Sequence, residues 1–195
     1  MIVGISLNRI CAILLSILVW IIWFIFFIFK SNKNETKENL IKTAFLRFIL
    51  FIYIGFIAGL TLLPIAIPPR GITENIYINL DIFHLFKYTF NKFAVINILG
   101  NLLLFTPLVI LTSLNKYKIF SKLYKVILYG IILSLFIEFI QYIEIYFGLA
   151  NSARSVDITD VILNTFGALI GFIVIKIYYR VMDNNKIKDI SYNKK

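Results

Sequence analysis

The chain has 195 residues, 60% of them hydrophobic, with a mean hydropathy of +0.88 and a formal net charge of +10. Soluble domains of this size are closer to half apolar, and here the apolar residues fall in long runs, so the composition is that of a membrane protein. Cys11 and His84 are each the sole residue of their type, which excludes an intrachain disulfide and a Cys/His zinc centre; the basic total comes without a basic groove or motif, so no nucleic-acid partner is assigned.

In chain order, the first apolar segment is about Ile10 to Phe29. At 1.5 Å per residue it is long enough to cross hydrocarbon, and too long for the core of a signal peptide. The second runs from about Ala44 to Leu63 and stops before Pro64, Pro68 and Pro69, which cannot continue a helix. A long loop follows. Its stretch "YINLDIFHLFKYTF" mixes Asn79, Asp81, His84 and Lys87 with Phe83, Leu85, Phe86 and Tyr88, the pattern of an amphipathic segment lying at the membrane interface. The third, fourth and fifth segments are about Ala94 to Ser113, Val126 to Phe147 and Ile158 to Tyr178. The expected fold is an all-α integral membrane protein of about five transmembrane helices, with an interfacial segment in the long outer loop. Its parts are a first helix and basic loop over 1–43, a four-helix core over 44–179 and a basic tail over 180–195.

Charge placement gives the orientation. Lys30, Lys33, Lys37 and Lys42 follow the first span, Lys116, Lys118, Lys122 and Lys125 follow the third, and Arg180, Lys186, Lys188, Lys194 and Lys195 follow the fifth. These regions alternate so as to share one side, and the positive-inside bias makes that side cytoplasmic. The expectation is a multi-pass protein of the bacterial cytoplasmic membrane with its N-terminus outside and its C-terminus inside.

Ionisable groups inside spans cost about 2.5–3.5 kcal/mol on insertion scales and mark functional candidates. Glu138 sits in the middle of span four, with Gln141 one turn nearer the outside on the same face. Span three carries Asn97 and Asn101 on one face; span five carries Asp157, Asp160 and Asn164 on one face, preceded by Arg154. Counted from the outer end of each helix, Asn101, Asn164 and Gln141 all lie about 10 Å deep. That suggests a polar, outward-opening cleft between spans three, four and five, with Arg154, Asp157 and Asp160 at its mouth. Glu138, Asp157 and Asp160 are candidates for acid–base chemistry; no metal or cofactor is assigned. Plainer roles compete. Asp157 can cap the fifth helix, Arg154 can anchor at headgroups, and the amides can be interhelical hydrogen bonds. Gly55/Gly59 and Gly167/Gly171 are GxxxG pairs that permit close packing, here read as internal.

These stretches resemble the VanZ-like family of bacterial membrane proteins, named for a teicoplanin-resistance protein. The resemblance covers residues 45–178 and rests on "TLLP", "NLDIF", "NILGNLLLFTPL", "EFIQ" and "RSVDITDVILNTFGALIG". It maps the family's polar set to Asn79, Asn97, Asn101, Pro107, Glu138, Gln141, Arg154, Asp157, Asp160, Asn164 and Gly167. Ile82 stands where the family usually has proline, and Val109 where it often has glycine. The resemblance implies a role in teicoplanin-type lipoglycopeptide resistance. The partners implied are membrane lipids and a lipoglycopeptide antibiotic or lipid-linked cell-wall precursor. Two other classes stay open: an enzyme acting on a lipid-linked envelope substrate, and a small proton-linked transporter.

Overall fold

The structure, a computed structural model, describes residues 5–7, 9–30, 36–67, 69, 71, 76–82, 92–115, 119–120, 122–150 and 154–192. Among these residues are five helices, each long and apolar enough to span a membrane: α1 (Arg9–Lys30), α2 (Lys37–Thr61), α3 (Lys92–Asn115), α4 (Leu123–Tyr146) and α5 (Ile158–Tyr192). All five expected spans are present. Each begins or ends beyond the apolar run, because a helix continues past the hydrocarbon wherever backbone hydrogen bonding is uninterrupted. In α5 this carries the helix through most of the residues expected as tail, to Tyr192.

Short strands join the chain ends of one side of the bundle. β1 (Ile5–Leu7) pairs antiparallel with β2 (Ile65–Ile67), in the register Ser6 to Ala66. The Ala66 amide also donates to the Leu149 carbonyl at 2.8 Å. β3 (Ile78–Asn79) pairs in parallel with β4 (Val156–Asp157). The segment expected at the interface is therefore strand at Ile78–Asn79; its remainder from 83 to 91, with His84, Lys87 and the aromatic residues after Ile82, lies outside the described residues.

The core lies among α2 to α5 and is built from Ile57, Leu104, Phe105, Leu108, Val109, Phe120, Val126, Ile137 and Ala168. α1 packs on α2 at the periphery. Its indoles and phenyls interleave with α2: Trp20 sits edge-on to Phe48 at 4.8 Å, and the Arg47 guanidinium lies 4.4 Å over the Trp23 ring. Glycines set the close approaches. A Cβ on Gly55 would strike the Ser16 side chain of α1, and one on Gly59 would come 3.2 Å from the Arg9 carbonyl oxygen. A Cβ on Gly167 would strike the Leu102 carbonyl oxygen of α3, and one on Gly171 would come 2.5 Å from that of Thr106. Both GxxxG pairs are thus used within one chain.

Pro107 interrupts α3, since proline lacks the N–H that would bond the carbonyl four residues back. That carbonyl belongs to Leu103. The Tyr53 hydroxyl of α2 donates to it at 3.1 Å and to the Leu104 carbonyl at 3.0 Å. A freed carbonyl in apolar surroundings is costly, and the neighbouring helix satisfies it.

Candidate polar site at the start of the fifth helix

α5 does not start level with the end of α4. The Asp157 amide donates to Glu138 Oε2 at 3.0 Å. Glu138 is eight residues before the end of α4, so α5 begins about 12 Å inside that end. α3 starts close to level with α5, since Gly167, nine residues into α5, meets Leu102, ten residues into α3. The Thr61 carbonyl at the end of α2 accepts from Gln141 Nε2 at 2.8 Å, and Asn101, nine residues into α3, donates to Asp160 Oδ1 at 2.6 Å. The recess left above α5 is occupied by β3, β4 and Arg154. Irregular backbone at such a depth is tolerated where protein surrounds it, and Asn79, Glu138, Glu144 and Asp157 are all buried.

Four groupings follow. In the first, Asn79 Nδ2 donates to Asp157 Oδ2 at 3.0 Å, while Asn79 Oδ1 accepts from the Asp81 amide at 3.1 Å. Asp157 Oδ1 accepts from the Thr159 amide at 2.8 Å, so Asp157 is the N-cap of α5. It is more than a cap, because its other oxygen holds β3 and its own amide holds Glu138. In the second, the Asn101 amide bridges Asp160 and Asn97 Oδ1, the latter at 3.1 Å, and Asn97 is exposed. In the third, Asn164 Nδ2 donates to Ser134 Oγ at 2.8 Å. In the fourth, Arg154 forms an ion pair with Glu144 at 2.5 Å and donates to the Leu63 carbonyl at 2.8 Å.

Two expectations need correction. Arg154 does not stand with Asp157 and Asp160 at a mouth; its guanidinium is turned to Glu144 and to the end of α2. Nor do the three amides share one level facing one space. Asn164 bonds Ser134, which lies seven residues, or about 10 Å, along α4 from Gln141. Depth counted from each helix end assumes level ends, and the inset start of α5 breaks that assumption.

Glu144 and Ser134 are the residues that sequence reasoning did not single out. Ser134, Glu138 and Gln141 stand at i, i+4 and i+7, so a signal for Ser134 was present on the same face. Glu144 lies nearly at the end of its helix, where a carboxylate is unremarkable by position; only the folding back of residues after Tyr146 buries it.

The layer can bind polar groups through amides and carboxylates, and its exposed edge is at Asn97. Among the described residues, no three of His, Cys, Asp and Glu group in a way that could hold a metal ion. Asn164 Oδ1 and Thr159 Oγ1 are buried without a hydrogen-bond partner, at 2% and 0% residue exposure.

A bundle of five apolar helices with polar groups concentrated at one end defines a multi-pass membrane protein with a buried polar layer. The sequence model of the VanZ/LLP1 family matches residues 12–179, starting within α1 and including every residue of the layer. The chain belongs to the VanZ/LLP1 family. No curated protein and no solved structure matches it.

Proposed function

We propose that this VanZ-like membrane protein contributes to teicoplanin-type lipoglycopeptide resistance, acting at the outer membrane face through the polar layer around the start of α5. The lysine-rich stretches at the opposite helix ends support that orientation. The observation that carries the reading is the burial of carboxylates at the start of α5. Here Glu138 and Asp157 are buried together with Asn79, and Asp160 joins Asn101 and Asn97 at an exposed edge. That edge is the entrance we assign to the cleft, with Asn97, Asn101 and Asp160 meeting polar parts of the ligand. Arg154 and Glu144 hold the layer against α2.

The test is teicoplanin and vancomycin susceptibility of a Gram-positive host carrying empty vector, wild type or Glu138→Gln, at matched membrane levels. Wild type should protect more against teicoplanin, which bears a lipid tail, than against vancomycin, and Glu138→Gln should lose that protection. Unchanged susceptibility with wild type in the membrane would remove the reading. Lipid analysis of the same cells would then test the enzymatic alternative.

A further inference from the structure

Ser134 and Glu138 stand one turn apart on α4, and Asp160 and Asn164 stand one turn apart on α5. Two bonds cross the contact between these helices. The Asp157 amide donates to Glu138 Oε2 at 3.0 Å, and Asn164 Nδ2 donates to Ser134 Oγ at 2.8 Å. The partner falls along α4 as the residue number rises along α5, so the helices are antiparallel here. The four residues form a square, with Glu138 facing the first turn of α5 that carries Asp160, and Ser134 facing Asn164.

This square is short of donors and of positive charge. The bonds its carboxylates accept from described residues go to Glu138 Oε2 and Asp160 Oδ1, and none goes to Glu138 Oε1 or Asp160 Oδ2. Asn164 is 2% exposed, and its Oδ1 has no partner although Ser134 holds the nitrogen of the same amide in the contact. The charges acting on Glu138 are those of Asp160 and Asp157, and the charge acting on Asp160 is that of Asp157. All are negative. Arg154 brings no relief, since its guanidinium is turned to Glu144 and the Leu63 carbonyl.

Buried charges are paired or coordinate a metal ion. A proton on either carboxylate makes one donor, which satisfies one of the other oxygens and leaves the rest. A water molecule brings two donors and no charge. A metal cation takes several oxygen ligands at once and offsets the charge as well. No three acids group among the described residues, which leaves a divalent ion short of carboxylates; amide and hydroxyl oxygens can complete the shell of a singly charged one. Asp160 is half-buried and bonded to Asn101 at the exposed edge of Asn97, which gives the ion a way in.

We propose that Glu138, Asp160 and Asn164 Oδ1, with Ser134 Oγ beside them, bind a monovalent metal cation such as Na⁺ between α4 and α5. The inference stands without the resistance reading, since it rests on these oxygens and their charge.

The full-length protein in detergent micelles is prepared in choline chloride. NaCl is titrated into it in a calorimeter, and its unfolding midpoint is followed as NaCl replaces choline chloride at constant ionic strength. Wild type should give a saturable heat of binding and a midpoint that rises with Na⁺, because an ion bound only by the folded state stabilises it. Glu138→Gln removes a charge from the square and Asn164→Leu an oxygen, and both should lose the sodium-dependent rise. Arg47→Leu, away on the aromatic seam, should keep it. Should Asn164→Leu not fold, Glu138→Gln decides. A wild-type midpoint that follows pH but not Na⁺ would put a proton in the square. A sodium response equal in wild type and Glu138→Gln would be a salt effect without a site. Either result, or the absence of saturable heat, overturns the proposal.

Discussion

Two helix pairs in this protein are built on the same small-residue spacing and put it to different use. α1 and α2 meet at Gly55 and Gly59, and the rest of their seam is aromatic: Trp20 on Phe24 and Phe48, Trp23 on Phe27, with Arg47 over Trp23. α3 and α5 meet at Gly167 and Gly171, and their seam is polar: Thr106 Oγ1 donates to the Gly167 carbonyl at 2.9 Å, and Asn101 reaches Asp160. Glycine only sets the distance. What fills the remaining contact decides the role, because apolar groups are as content in lipid as in protein, whereas polar groups there must find one another. The polar seam continues into the layer of Glu138, Asp157 and Asn79; the aromatic seam leads to nothing of the kind among the described residues.

The largest effect should come from unpairing a buried charge. Arg154→Ala leaves Glu144, whose side chain is 5% exposed, without its partner, at a cost of about 3–5 kcal/mol. Unfolding in detergent micelles measures this, and adding Glu144→Leu should restore most of the loss; a double variant no more stable than Arg154→Ala would mean that the pair is not what holds the layer to α2.

The two glycine contacts should then separate. Gly167→Ala places a methyl on a backbone carbonyl, so the helices themselves must move, and overpacking of this kind costs about 1–3 kcal/mol. Gly55→Ala meets first the Ser16 side chain, whose hydroxyl donates to the Ile13 carbonyl at 2.8 Å. Removing that side chain in Gly55→Ala/Ser16→Gly should recover part of the loss, the Ala12 carbonyl oxygen at 2.9 Å keeping the rest, whereas α3 has no side chain to trim opposite Gly167. Equal behaviour of the two seams in the same unfolding assay would erase the distinction.

Smaller effects follow. Ser134→Ala removes the partner of Asn164 between α4 and α5, and interhelical bonds of this type average about 0.6 kcal/mol, with a maximum near 1.7. Because Asn164 is 2% exposed and already has one unpartnered atom, a loss toward the upper figure is expected. Arg47→Leu removes the cation over Trp23 and should cost about 0.5–1 kcal/mol, with no effect on resistance.

How far the sequence could be read follows the same physics. The five spans were legible because hydrophobicity over about twenty residues is a strong signal. Faces were legible too: Asn97 and Asn101 do lie together, as helical spacing requires. The offset between α5 and the end of α4 was not, since the segments paired there are β3 and β4. Strands of two residues carry no alternation to detect, and the pairing of Asn79 with Asp157 spans 78 positions. Glu144 shows the same limit. Its burial depends on where Arg154 returns, which loop composition does not encode.

The central claim is that the charge at the start of α5 serves function while the aromatic seam serves the fold. Asp160→Asn tests it most directly, because the substituted amide still offers an oxygen to Asn101 and only the charge is removed. Teicoplanin susceptibility would be compared for wild type, Asp160→Asn and Arg47→Leu at matched membrane levels, with unfolding midpoints measured for all three. The account predicts that Asp160→Asn keeps a near wild-type midpoint and loses protection, while Arg47→Leu keeps protection. Full protection from Asp160→Asn, or equal loss from both variants, would contradict it.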